Sequence, residues 1–204
     1  MHSAAPASSP AAPACLLLLM TAGGVHYAVR AASIRRLVPF VRLHAPPRHA
    51  PREFVGWLNF QGEVVPVVDG TLRLAGRPTE PTLISRILLI QSDFAQANSP
   101  ASGDASAPTG THTLGIIAES AHRTVRLATS QFQRHKVAER IAVPEGGLPL
   151  LPVMEHDGYL LHLLELEQLL TPELCAAFSS GAAQPSGAPL PQSPRPALTH
   201  RTEP

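Results

Sequence analysis

The chain has 204 residues, with 16 Lys+Arg against 15 Asp+Glu, 44% hydrophobic and 15% charged residues. That balance belongs to a soluble globular domain and excludes a fibrous or wholly disordered chain. A formal net charge of +1 lacks the clustered Lys and Arg with which nucleic-acid binders displace counterions, so no nucleic-acid partner is expected.

Residues 1–14 are nearly all Ala, Ser and Pro, residues 179–204 carry six of the 22 prolines, and 95–111 hold no aromatic or large aliphatic side chain. None of these segments can bury enough apolar area to offset the entropy of ordering, so all three are expected to be disordered. What remains, 15–94 and 112–178, is close to the ~150 residues for which one domain-sized core is feasible. The first apolar run, Cys15–Met20, follows no basic region and is too short for a signal peptide's core of about 7–15 residues. It is also interrupted by Gly23-Gly24 well before the ~20 residues a membrane span needs. A buried first strand and a cytoplasmic chain without direct membrane insertion are expected. Cys15 and Cys175 form no C-x-x-C pair and read as packed thiols.

In chain order, Leu16–Thr21 and Val25–Val29 flank Gly23-Gly24 and predict a β-hairpin. Ser33–Pro39 is a third apolar segment, followed by the proline-rich connection 44–52. Phe54–Phe60 and Glu63–Asp69, joined by Gln61-Gly62, form the clearest hairpin. Pro66 cannot donate to a ladder, so its N–H side is expected at an edge or bulge. Thr71–Ala75 reads as a helical turn ending at Gly76. Ser85–Gln91, His112–Glu119 and Thr124–Ala128 are strands, and Leu150–Glu155 and Tyr159–Leu164 are paired around His156-Asp157-Gly158. Leucines 163, 164, 166, 169 and 170 have a helical period. Thr171-Pro172-Glu173 is a helix start for a terminal helix over about Pro172–Phe178. Five strands in each half predict two small barrels.

Catalytic signatures are absent: there is no phosphate-binding G-x-x-x-x-G-K-[ST], no G-x-S-x-G, no H-E-x-x-H and no G-x-G-x-x-G. The ten histidines form no ligand set at metal-binding spacing, so no metal and no cofactor is expected. Ser85, His122 and Asp69 could be written as a hydrolytic trio, but a chain of this length always offers one. Glu165 and Glu167, two apart, do not face each other on a helix. The pattern favours a binding module over an enzyme; a small β-barrel enzyme or ligand-binding protein is the alternative.

At Gly56-Trp-Leu-Asn59-Phe-Gln-Gly62-Glu-Val-Val-Pro66-Val-Val-Asp69 the chain resembles the CheW-like coupling domains of bacterial chemosensory arrays, whose pattern reads G-x-x-N-x-R-G-x-x-x-P-V-x-D-L. Leu72, Leu74 and Gly76 continue the match. Gly115–Ala121 is similar to the family's G-l-l-V-D-x-V strand, and Asp157–Glu165 to its D-G-x-L-v-x-L-L-D ending. Three motifs in order over 15–178 imply one CheW-like domain: an all-β pair of SH3-like five-stranded barrels with a short C-terminal helix. The implied function is a non-catalytic adaptor between the cytoplasmic tip of chemoreceptors and a CheA-type histidine kinase. The implied partner-binding residues are Arg36, Gly56, Trp57, Asn59, Gln61, Gly62 and Glu63. Gly56, Asn59 and Gly62 serve turn and bulge geometry equally well. Trp57 suits a core or an interface alike.

The departures point to a divergent paralogue. Gln61 replaces the family's arginine, Gly70 its leucine and Glu119 its aspartate. Arg36, or Arg35 one position earlier, stands where the family often has a glutamate. The glutamate and arginine positions are expected to be neighbours, so the paired change removes an ion pair without stranding a charge.

Overall fold

The computed structural model describes residues 14–92, 112–133 and 151–179. Of the segments expected to be disordered, 1–14, 95–111 and 179–204, all but Ala14, which opens β1, and Ser179, which closes the C-terminal helix, lie outside the described residues. Among the described residues there are ten strands. They are β1 Ala14–Ala22, β2 Val25–Arg30, β3 Ile34–Pro39, β4 Phe54–Phe60 and β5 Glu63–Asp69, then β6 Arg86–Ser92, β7 His112–Ala118, β8 Ser120–Ala128, β9 Val153–His156 and β10 Tyr159–Leu163. Helix α1 is Gly70–Ala75 and helix α2 is Pro172–Ser179.

The strands form two five-stranded sheets, ordered β8-β1-β2-β10-β9 and β3-β6-β7-β5-β4. Each contains one parallel pair, β2 with β10 and β5 with β7, the other pairings being antiparallel. In both, the chain just beyond one edge strand bridges to the opposite edge. His44, after β3, exchanges backbone hydrogen bonds with Trp57 of β4, 2.9 Å each way. Gln133, after β8, does the same with Val153 of β9 at 2.8 and 2.9 Å. These bridges close each sheet on itself and remove its free edges.

The division of strands differs from the expectation of one barrel per half. Strands β3 to β7 make one barrel, while β1 and β2 leave their neighbours and complete the barrel of β8, β9 and β10. If the order β3, β4, β5, β6, β7 is written a-b-c-d-e, the other sheet repeats it as β8, β9, β10, β1, β2. The chain therefore runs d-e-a-b-c-d-e-a-b-c. Periodicity fixes which residues share a face, but the partner of β1 lies about a hundred residues away, where no local pattern reaches.

Three apolar clusters follow. Leu58, Val65, Val67, Ile87, Leu89 and Ile117 fill the barrel of β3–β7. Leu17, Ala28, Phe132, Leu161 and Leu163 fill the other. Between the barrels a larger cluster takes the opposite faces of the same strands, among them Leu18, Met20, Val29, Leu88, Ile90, Leu114 and Ile116. Strands buried on both faces read as unbroken apolar runs such as Leu17–Met20 and Ile87–Ile90. Each fully buried leucine or isoleucine contributes about 1.5–3 kcal/mol.

Three further expectations need correction or refinement. The leucines from 163 to 170 do not form a helix: β10 ends at Leu163, and Leu166–Leu169 is a single 3-10 turn. Leu164, Leu166 and Leu169 enter the central cluster, so burial, not helical periodicity, spaces them. Glu165 sits before that turn and pairs with Arg30 at 3.1 Å. Pro66 lies on an interior strand, but the ladder to β7 begins only at Val67. The missing N–H therefore falls where no ladder bond is required. The terminal helix starts as expected, with the Leu174 N–H donating to Thr171 Oγ1 at 3.2 Å. Cys175 on it is buried and its thiol is pushed up by desolvation, which keeps it unreactive.

Candidate functional site

The β4–β5 hairpin is built by its turn. Gln61 and Gly62 both have positive φ, 55° and 88°, the pair that a two-residue type I′ connection requires. Asn59 Oδ1 accepts from the Gly62 N–H at 3.2 Å and braces it. At the hairpin's other end Gly56 marks a bulge against Val67. A Cβ there would lie 2.1 Å from the His44 carbonyl oxygen, so the bridge that closes this barrel needs a glycine. Trp57 is core: it is buried and meets Phe54 edge-on, ring centroids 5.0 Å apart. Of the residues expected to touch partners, Gly56 and Trp57 are therefore structural. Arg36, Gln61, Gly62 and Glu63 are exposed, and Asn59 is partly so.

The exposed members gather at one mouth of the β3–β7 barrel. Adjacent strand residues normally point to opposite faces, yet a bulge between Ile34 and Arg36 inserts Arg35 as an extra residue. Bulges re-aim side chains, and here both arginines reach the same mouth. Arg35 Nη1 donates to Thr113 Oγ1 at 2.8 Å and pairs with Glu63 Oε2 at 3.3 Å. Arg36 lies over the Phe60 ring, 5.8 Å from its centroid. The pair of Arg35 and Glu63 is exposed and worth only about 0.2–1 kcal/mol. Arg35, Phe60 and Thr113 were not among the expected site residues, because the bulge that assembles them leaves no mark in the strand pattern.

Behind the hairpin, Asp69 is 3% exposed and takes bonds from three donors. Oδ1 accepts from the Leu72 N–H at 3.0 Å and the Thr79 hydroxyl at 2.6 Å, and Oδ2 from the Thr79 N–H at 2.7 Å. It thus caps α1 and ties down the following loop. Gly70 next to it packs so closely that a Cβ would lie 2.5 Å from the Ile117 carbonyl oxygen. In this packing the leucine of the family pattern would not fit at position 70. The trio Ser85, His122 and Asp69 is not assembled: Ser85 Oγ donates to the Glu119 carbonyl at 3.1 Å, and His122 Nδ1 meets Ser120 Oγ at 2.8 Å. Among the described residues no three His, Cys, Asp or Glu converge as a metal site, and no helix is long and apolar enough to cross a membrane.

Two closed five-stranded sheets packed through a shared apolar seam define a double-barrel domain with its distinctive polar surface at a hairpin tip. Residues 16–173 match the sequence profile of the CheW-like domain, and the chain belongs to that family of chemotaxis signalling domains. Its fold is similar to the crystal structure of the scaffolding protein TtCheW from Thermoanaerobacter tengcongensis. The TM-score is 0.55 at 14% identity, over 82% of this chain and 93% of that one. No curated protein matches by sequence at a significant level.

Proposed function

We propose that the chain is a non-catalytic cytoplasmic adaptor that couples methyl-accepting chemoreceptors to a CheA-type histidine kinase. The observation that carries this reading is the CheW-like match over 16–173, borne on a fold like that of a protein described as a scaffold. The double barrel suits the task. Two barrels sharing one seam present two separate outer faces, one for the kinase and one for receptor helices. The exposed mouth residues Arg36 and Glu63 supply charge, and Gln61 a neutral amide, that select between partners. The candidate nucleophile Ser85 and candidate acid Asp69 spend their polar atoms on turn and cap geometry, which supports binding over catalysis. The test is co-purification of the full chain with a receptor cytoplasmic fragment and a kinase fragment from the same chemosensory system. Capture of both supports the reading, and capture of neither overturns it.

A further inference from the structure

The loop from α1 to β6 ends in a turn whose apex is apolar. Leu83 is 98% exposed and Ile84 53%, and they occupy the two central positions of a β-turn closed by the Ser85 N–H donating to the Thr82 carbonyl at 3.1 Å. Such positions are normally filled by Gly, Asn, Asp or Pro. Neither residue here has positive φ, so the turn geometry asks for neither side chain. The apex is held firmly. The Thr82 N–H donates to Ser85 Oγ at 2.9 Å, Ser85 Oγ to the Glu119 carbonyl at 3.1 Å, and Arg86 Nη1 to the Leu83 carbonyl at 2.8 Å. A branched apolar side chain fixed in water on a braced turn is a preorganised anchor.

A receptacle adjoins the apex along the chain. The segment just before the apex, with Pro78, Thr79 and Pro81, forms one wall of a cleft of about 380 Å³ whose other walls include Phe40, Leu43 and Val55. Leu83 does not line the cleft of its own chain and stays 98% exposed. Arg42 stands among the lining residues, and Glu80 lies three residues before Leu83. Both are exposed, and among the described residues neither forms an ion pair. We propose that this face is a two-fold contact between copies of the chain, in which Leu83 of each copy seats in the other's cleft and Glu80 meets the other's Arg42. A knob and a hole of opposite charge, two residues apart along the chain, are what an isologous contact needs, since each copy offers both halves. The patch is small compared with the ~1,200 Å² of a stable interface, so the dimer is weak and concentration-dependent.

The test is sedimentation velocity of the full chain from about 5 to 500 μM, the range that brackets weak association. A shift from monomer toward dimer across that range is expected, and Leu83→Asp should hold the chain monomeric throughout. Arg42→Glu alone and Glu80→Arg alone should each weaken the dimer by about fivefold or more. The double variant should restore it, which misfolding cannot imitate. A wild-type chain that stays monomeric at the highest concentration overturns the proposal, as does a double variant that restores nothing. If the wild type is monomeric and Leu83→Asp instead weakens binding to kinase or receptor fragments, the anchor serves that partner and the two-fold contact is wrong.

Discussion

Arg36 rests its guanidinium over the ring of Phe60, 5.8 Å from the centroid, while the carboxylate at the same hairpin tip, Glu63, is engaged by its neighbour Arg35. A cation over an aromatic face gains about 0.5–1 kcal/mol at an exposed site, but among the described residues no carboxylate pairs with Arg36. With Gln61 in place of an arginine, the mouth carries one compensated and one uncompensated positive charge.

Under the proposed adaptor function, charge at positions 36 and 61 is expected to influence partner choice. Gln61→Arg alone is expected not to improve affinity for kinase or receptor fragments, because it adds a cation beside Arg36. Combined with Arg36→Glu it should yield a measurable coupling energy in a double-mutant cycle, with stability changed by less than about 1 kcal/mol. Zero coupling would show that the two side chains do not meet.

Two glycines of the same hairpin should respond differently to alanine. At Gly62 an added Cβ meets nothing within 4 Å, so the cost is the left-handed backbone alone, about 1–2 kcal/mol. At Gly56 the Cβ collides with the His44 carbonyl, and the bridge closing the barrel must open. Gly56→Ala should lower the melting temperature well beyond Gly62→Ala. Equal losses in thermal melts would mean that the closure between His44 and Trp57 contributes little.

Asp69→Asn keeps the shape of the cap but turns one acceptor into a donor facing the Thr79 N–H or hydroxyl. Leaving a buried donor unsatisfied costs about 1–3 kcal/mol, or roughly 2–4 °C per kcal/mol for a chain of this size. A melting temperature unchanged within a degree would remove Asp69 from its role as the tie between α1 and the following loop.

Stability should fall on mild acidification because of His162, which packs near Tyr27 with ring centroids 5.7 Å apart. Burial pushes its pKa below the usual imidazole value of about 6.5. The unfolded chain then binds the proton first, so stability is intact above that value and is lost as pH falls through the window beneath it. Tyr27, pushed up by desolvation, acts in the opposite direction, destabilising the fold only above about pH 10. Melting temperature against pH for the wild type and His162→Gln should differ in slope as pH falls below about 6.5. Parallel curves would exclude His162.

Local chemistry made part of this architecture legible. The turns at Gln61-Gly62 and Asp157-Gly158 follow from residues that tolerate positive φ, and both pairs have it. The cap at Thr171 and the stop at Gly76 are local in the same sense. The exchange of β1 and β2 between halves was not legible, because a strand's sequence specifies its faces and not its distant partner. The leucines after β10 misled for a related reason: eight residues are too few to separate a helical period from a strand that runs into a 3-10 turn. At the candidate site, the exposed tip was readable from turn chemistry, whereas the bulge at Arg35 decides which arginine takes Glu63.

The adaptor reading is tested most directly by bridging. A receptor cytoplasmic fragment is fixed to beads, a CheA-type kinase fragment is held constant in solution, and retained kinase is measured as the chain is titrated in. Little retention is expected without the chain, a rise as it is added, and a fall at excess, when separate copies saturate each partner. Kinase retention that is unaffected by the chain, or absent at every concentration, would contradict the adaptor reading.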